Sequence, residues 1–292
     1  EASSDGRVGT FSSFESAIEE VRPAVVIVCT PPNSHVEQAL DALSHSAHVF
    51  IEKPLSNSLE KVDELIEKTH SEGKIVQVGY NWRFHEGLRK MHRLLNEGTT
   101  GKVLFVRSEF GQYLPDWRPE QDYRENYSAR SSLGGGIILD SSHEIDYLRW
   151  FFGEIEQVYC RSSIQSELEV DVEDTASIIL FFETGCVGEL HLDFVQRVKS
   201  RNCKVVGSEG TIFWDNNEQK VNVFTSFEGS WRKFDVSSDT NQKYLMEMAS
   251  FLDCIITGRE PVVGVESARR TLEVALACQR SSQLGTPIKL PL

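Results

Sequence analysis

The stretch that decides the fold runs from Val25 to Pro54 and reads VVIVCTPPNSHVEQALDALSHSAHVFIEKP. Val25 to Cys29 is an unbroken β-branched and apolar run, the pattern of a strand covered on both faces in a parallel sheet rather than the alternation of a half-exposed one. Thr30, Pro31 and Pro32 stop it. Asn33 or Ser34 is a good N-cap for a helix carrying Val36, Ala39, Leu40 and Leu43 on one face, and a second short strand, His48 to Ile51, ends in Glu52-Lys53-Pro54. This is a βαβ unit. In open parallel sheets ligands sit outside the carboxyl ends of the strands, so the Thr30 to His35 turn and the Glu52 to Pro54 turn are expected to edge one crevice. Proline holds the residue before it in extended conformations and is the only residue before which a cis peptide is cheap, so Pro54 is expected to set the direction of Lys53. The plainer alternative is a surface lysine after a strand.

Downstream, a helix at 58–72 (Leu59, Val62, Leu65, Ile66) and a strand at 75–79 extend the α/β pattern, and a further helix carries Leu88, Met91 and Leu95 before Glu97-Gly98 ends it. Long strands follow: Val103 to Phe110, Ala176 to Phe182, Val187 to Phe194, Lys204 to Val206, Thr211 to Trp214 and Val221 to Thr225. Leu190, Leu192 and Phe194 alternate with His191 and Asp193, the period of a sheet with one covered and one more polar face. Gly207-Ser208-Glu209-Gly210 is a turn between strands, and helices return at 240–257 and 265–282. The change of period near residue 97 divides the chain into 1–97 and 98–292. It is not a flexible hinge.

Gly134-Gly135-Gly136 introduces a helix that carries a second constellation. At roughly 100° per residue, Ile138, Ile145, Leu148 and Phe152 share one face while Asp140, His143, Glu144 and Tyr147 gather on the other. Asp140 and His143 are neighbours across a turn. On helix arithmetic alone the alternative is a solvated polar face. The loop Gln112-Tyr113-Leu114-Pro115-Asp116-Trp117-Arg118-Pro119, with Asp122-Tyr123-Arg124, sets aromatic rings beside charged groups, which suits a polyhydroxylated or acidic sugar. It reads equally as a loop packed on the sheet or a subunit contact.

TPP, a histidine four residues after the threonine-proline step, EKP after the next strand, VGYNWRF and then GGGIILDSSHEIDYLRWFFGE together resemble the glucose-fructose oxidoreductase and inositol dehydrogenase family, Gfo/Idh/MocA. The likeness covers nearly the whole chain. It implies an α/β fold: a Rossmann-type parallel sheet that binds NAD or NADP, followed by an α/β domain with a large, mostly antiparallel open sheet for substrate and assembly. Thr30, Pro31, Pro32, Asn33, His35, Glu52, Lys53, Trp82 and Arg83 are the implied cofactor-side residues, with interface core as the alternative for Trp82. Tyr113, Trp117, Arg118, Tyr123, Arg124 and Asp140 are expected on the substrate side, in a wording that looks like the branch associated with surface-sugar biosynthesis.

Oxidising a secondary alcohol removes a hydride from carbon and a proton from oxygen, which requires a base of near-neutral pKa and a cation to steady the alkoxide. Through the resemblance, His143 is the expected acid/base, Lys53 the electrostatic stabiliser and Asp140 the group that orients substrate hydroxyls. A lysine in a low-dielectric crevice has its neutral form favoured, so the order of Lys53 and His143 as base stays open. In this chain the aspartate-to-histidine interval is three, where many members have four.

The Gly-rich turn GxGxxG that belongs after the first strand of such a sheet is absent from the residues before Val25, and neither Gly6 nor Gly9 fills its place. The expectation is that the chain begins partway through its first domain; otherwise it does not hold a dinucleotide in the usual way. A net charge of −14 argues against nucleic acid or an anionic membrane as partner. No apolar stretch is long enough to span a bilayer. Cys29, Cys160, Cys186, Cys203, Cys254 and Cys278 show no metal spacing and read as buried free thiols of a reducing cytoplasm.

The expected activity is therefore an NAD(P)-dependent oxidoreductase of a sugar, sugar derivative or cyclitol, without metal. The alternatives are an NAD-dependent glycosidase of the same family, with an internal redox cycle, or a noncatalytic sugar-sensing regulator. Ile178, Leu180, Phe182, Leu190, Leu192 and Phe194 with few helices to cover them predict a homodimer or homotetramer through the sheet. If the C-terminal helices and the Tyr113 to Tyr127 loop suffice, the chain is a monomer.

Overall fold

Alternating strand and helix propensity builds the first sheet. The computed structural model describes residues 9–237, 239 and 241–292. Gly6 therefore lies outside the described residues, and Gly9 precedes helix α1 (Phe14–Val21), whose cap Ser13 accepts from the Ser16 N–H. Then come β1 (Val25–Val28), α2 (His35–Ser44), β2 (His48–Glu52), α3 (Val62–Glu72) and β3 (Val76–Gly79). The strands are parallel in the order β1-β2-β3, and helices make both crossovers, as parallel neighbours require.

Three local details differ from expectation. Among the described residues β1 pairs only with β2 and Ile27 is 52% exposed, where its apolar run predicts a strand covered on both faces; β2 and β3 are the buried strands. Ser34 stands at the N-cap position of α2 as expected, but its side chain makes no capping bond, because Pro32–Ser34 form a 3-10 turn, and Asn33 donates instead to the Ser132 carbonyl. Helix α3 begins at Val62, not at 58, because Ser58 accepts from the Glu60 N–H in a local turn and Lys61 takes a left-handed φ of 57° that a helix interior excludes.

Helix α4 (Glu86–Asn96), capped by His85, leads into the second sheet. Its elements are β4 (Val103–Gly111), α5 (Ile137–Asp140), α6 (Ser142–Phe152), β5 (Ile155–Ser163), β6 (Thr175–Phe182), β7 (Val187–Asp193), β8 (Ser200–Gly207), β9 (Gly210–Asp215), β10 (Lys220–Thr225), β11 (Trp231–Asp235), α7 (Gln242–Thr257), α8 (Val265–Leu284) and β12 (Ile288–Lys289). The nine strands lie in the order β11-β10-β9-β8-β4-β7-β6-β5-β12, antiparallel throughout except β4 beside β7. The fold is thus a small parallel sheet plus a large, mostly antiparallel one. Periodicity missed β5, β11 and β12; β11 is almost wholly exposed and carries no apolar face to detect.

One face of the large sheet is covered by α5, α6 and α8. Ile178, Leu180, Phe182, Leu190, Leu192 and Phe194 are all buried there within the chain, so these side chains do not require a partner, contrary to the sequence expectation. The opposite face shows Phe105, Arg107, Val187, Glu189, His191 and Lys204 to solvent. The polar alternation also fails at Asp193, which is buried because its carboxylate accepts the Val195 and Gln196 N–H groups. The C-terminal helices return to the first sheet: Phe251 of α7 packs edge-on against Phe50, and the Val78 N–H donates to the Val263 carbonyl. Five cysteines are buried and Cys29 is exposed, since it stands just beyond the end of β1 at the crevice; all six are unpaired. Among the described residues no helix is long and apolar enough to cross a membrane.

Candidate active site

Because β1 and β2 run in register, Val28 opposite Ile51, the segments that follow them emerge side by side. They open on a crevice of about 760 Å³ lined by Thr30, Pro31, Pro32, Glu52, Lys53, Trp82, Asp140 and His143 among others. Buried His35 ties the two strand ends together, with Nδ1 2.9 Å from the Pro54 carbonyl oxygen and Nε2 2.7 Å from that of Thr30. The Lys53–Pro54 peptide is cis.

Lys53 points across the crevice to α5. Its Nζ donates to Asp140 Oδ1 at 2.5 Å and to the Asp140 carbonyl at 2.7 Å. Asp140 also accepts from Tyr127 Oη and Ser128 Oγ, both at 2.6 Å. Gly135 makes this possible: a Cβ there would lie 2.1 Å from the Tyr127 carbonyl, so only glycine lets the chain carrying Tyr127 and Ser128 close on α5.

The predicted single helix breaks at Ser141 into α5 and α6, and the face that helix arithmetic alone would give to solvent is buried. Each charge there has a fixed counterpart. Arg83 grips Asp146 through two hydrogen bonds of 2.8 Å, Arg201 Nε lies 2.8 Å from Glu144, Arg149 pairs with Glu154, and Tyr147 Oη is 2.5 Å from Ser108 Oγ. His143 is the exception. It is 8% exposed, its ring lies edge-on to Tyr80 at 5.6 Å, and its buried Nδ1 has no partner in the described chain.

The electrostatics separate Lys53 from His143. Burial acts to lower the Lys53 pKa, but the charges of Asp140, Tyr127 and Glu52 outweigh it and hold the ammonium well above its ordinary range. Burial raises and Lys53 lowers the carboxyl of Asp140, with a net downward shift. His143 is pushed well below the usual imidazole value by burial and then by Lys53, Arg201 and Lys243. At neutral pH the crevice therefore holds a charged lysine beside a neutral imidazole.

Of the sequence-predicted cofactor-side residues, Thr30, Pro31, Pro32, Glu52, Lys53 and Trp82 line the crevice. Asn33, His35 and Arg83 do not: Asn33 is bonded to the Ser132 carbonyl, His35 braces the turns from behind, and Arg83 turns away to Asp146. On the substrate side Trp117 and Arg118 line it. Tyr113 lies instead beneath Arg197, Tyr123 Oη accepts the Glu169 N–H, and Arg124 is held by Asp122 and Glu169. Sequence reasoning missed Tyr127, Ser128, Lys199, Arg201 and Lys243; only the Tyr127-Ser128 step, just ahead of the glycine run, carried a local hint. A neighbouring cavity of about 780 Å³ shares Lys243 with the crevice but contains none of Lys53, Asp140 and His143.

Residues 2–80 match the model of the oxidoreductase family's NAD-binding Rossmann fold, and residues 88–213 match the GFO/IDH/MocA C-terminal domain. Myo-inositol 2-dehydrogenase of Thermotoga maritima is 30% identical over 285 residues, spanning 94% of this chain and 81% of that protein. The chain belongs to the GFO/IDH/MocA oxidoreductase family. As a member it is an oxidoreductase of CH–OH groups that uses NAD or NADP. The 2,7-anhydro-N-acetylneuraminate hydratase of Mediterraneibacter gnavus is 31% identical over 304 residues, covering 91% of this chain and 80% of that one. The fold matches levoglucosan dehydrogenase, solved in complex with NADH and levoglucosan, at a TM-score of 0.86 and 20% identity over 97% of this chain and 84% of that one.

Proposed function

We propose that the protein is a dehydrogenase acting on a secondary hydroxyl of a sugar, sugar derivative or cyclitol, with His143 as proton acceptor and Lys53 as the cation facing the reacting oxygen. The observation that carries this reading is the division of charge in the crevice, with Lys53 held as an ammonium and His143 as a neutral imidazole. A base must be unprotonated to take the hydroxyl proton, and a fixed ammonium lowers the cost of the alkoxide that forms. Asp140 is spent on Lys53, Tyr127 and Ser128, so it positions the lysine rather than the substrate. Trp117 and Arg118 remain available to the sugar.

The crevice fits the nicotinamide end of the cofactor: it opens at the carboxyl ends of β1 and β2, and the unpartnered ring of His143 faces the volume that Thr30, Pro31, Pro32, Glu52 and Trp82 enclose. When bound there, the cofactor supplies the acceptor or donor of the hydride. The test is formation of reduced nicotinamide by the purified protein with a panel of sugars and cyclitols, in parallel with His143→Ala. Turnover that survives His143→Ala undiminished would overturn the assignment. The hydratase relative favours a second reading, an internal redox cycle with no net cofactor reduction; product formed without accumulation of reduced nicotinamide would select it.

Unpaired cysteines support a cytoplasmic setting, and the uncovered sheet face with Phe105 and Val187 supports a homodimer or homotetramer. A solution mass near 33.0 kDa for this chain by light scattering would refute the assembly.

A further inference from the structure

The crevice wall built from β8 and α7 carries more positive charge than the carboxylates paired with it offset. Lys199 and Arg201 stand at the start of β8 and Lys243 in the first turn of α7, and all three share the crevice with Trp82 and His143. Lys243 Nζ lies 4.0 Å from the Trp82 ring centre, and the Arg201 guanidinium carbon lies 4.2 Å from the same ring. Arg201 has Glu144 beside it. Among the described residues, Lys199 and Lys243 have no carboxylate within ion-pair distance. Glu247, a buried acid close to Lys243, is pushed up to about 9 by burial and by Glu52 and Asp146, so it is uncharged at neutral pH and offsets little. Burial first, then Arg201 and Lys199, pull Lys243 down to about 8, and the acids Glu247 and Glu144 do not make up the difference. This occurs in a chain whose net charge is −14.

We propose that the substrate is anionic, a sugar or cyclitol bearing a carboxylate, and that Lys243, Lys199 and Arg201 form the pocket that reads it. The inference rests on the dehydrogenase reading and narrows its substrate class. Trp82 serves as the ruler: its ring centre is 6.5 Å from that of His143, so a carboxylate against the Trp82 cations and a hydroxyl at His143 belong to the same sugar unit or adjoining ones. The three cations come from β8, the residue just before it, and α7. The phosphates of a dinucleotide belong at the other wall, where helices follow the strands of the parallel sheet. A lysine pair beside an aromatic ring matches a polyol acid, with the ring against C–H faces and the ammonium groups on the carboxylate.

The test compares three substrates of matched stereochemistry, a neutral sugar, its uronic or aldonic acid and its phosphate ester, on the wild-type protein, Lys243→Met and Lys243→Arg. The acid is expected to exceed the neutral sugar at least tenfold in kcat/KM. Lys243→Met should cut that preference by roughly tenfold to a hundredfold through KM, the scale of a charge-assisted hydrogen bond, and Lys243→Arg should retain most of it. Equal use of the neutral sugar, preference for the phosphate ester, or a preference that Lys243→Met leaves intact would each overturn the proposal while the dehydrogenase reading stands. If no arm reduces the nicotinamide, that reading fails, and calorimetry with glucuronate decides the pocket separately. Binding that weakens in Lys243→Met sustains it, and no binding or equal binding sinks it.

Discussion

The two walls of the crevice treat charge in opposite ways. On the strand-end wall Lys53 is locked to Asp140, itself held by Tyr127 and Ser128, and His35 pins the backbone on both sides. On the wall from β8 and α7, Arg201 alone is paired, and Lys199 and Lys243 face the open volume. A buried charge without a partner is expensive, so a saturated network fixes a group in one geometry and one charge state, as chemistry requires. Cations left unpaired at an open wall are instead free to take an anion from outside. Under the proposed function, reaction falls to the first wall and recognition to the second.

The comparison breaks most visibly at the reacting groups. His143→Ala and Lys53→Met should each lower turnover by roughly 10²-fold to 10⁴-fold while cofactor binding, followed by nicotinamide fluorescence, persists. Unchanged turnover on the true substrate would return both residues to a structural role. Next in size is Asp140→Ala, which strands Lys53 in a site where its side chain is only 14% exposed. Denaturant unfolding should show a loss of about 3–5 kcal/mol, and adding Lys53→Met should recover much of it, since the double variant buries no orphan charge. A double variant no more stable than Asp140→Ala would show that the pair is not what the network protects.

A smaller effect is expected from His35→Ala, which leaves the Thr30 and Pro54 carbonyls without their ring partner: about 1–3 kcal/mol of stability, read from the same unfolding curves, with KM for the cofactor raised because the Thr30 turn loosens. The mildest test sharpens the second wall through pH. Lys243 titrates near 8, lowered by burial and then by Arg201 and Lys199, which outweigh the smaller upward pull of nearby acids. Its ammonium is present below that pH and lost above it, so affinity for an anionic sugar should weaken by up to about tenfold as pH rises through 8, and Lys243→Arg should flatten that limb because a guanidinium stays charged. An affinity flat across this range in the wild-type protein would remove Lys243 from the pocket.

Much of the fold was legible because it is local. The apolar runs at residues 25–28, 48–52 and 76–79 with helical periodicity between them specify parallel strands and crossovers, and Leu190 and Leu192 mark a sheet with one covered face. Asp140, His143 and Lys53 were legible through family wording. Their joint placement was not, since Lys53 and Asp140 stand 87 positions apart and meet only when α5 docks at the end of β2. Arg83 shows the same limit: from the chain it adjoins the Trp82 site, yet a single turn carries its guanidinium to Asp146. Tyr113, Tyr123 and Arg124 had the composition of a sugar loop, and three nearby partners occupied them first.

By itself the sequence determined the strand ends that make a crevice, the lysine and histidine that enter it, and the family to which both belong, because hydrophobic period and turn chemistry act over a few residues. Tertiary structure alone decided which charges are cancelled. Arg201 found Glu144 57 positions away while, among the described residues, Lys199 and Lys243 found no carboxylate within ion-pair distance, and pairing of that kind depends on which distant segments the packed sheet and helices bring within a few ångströms.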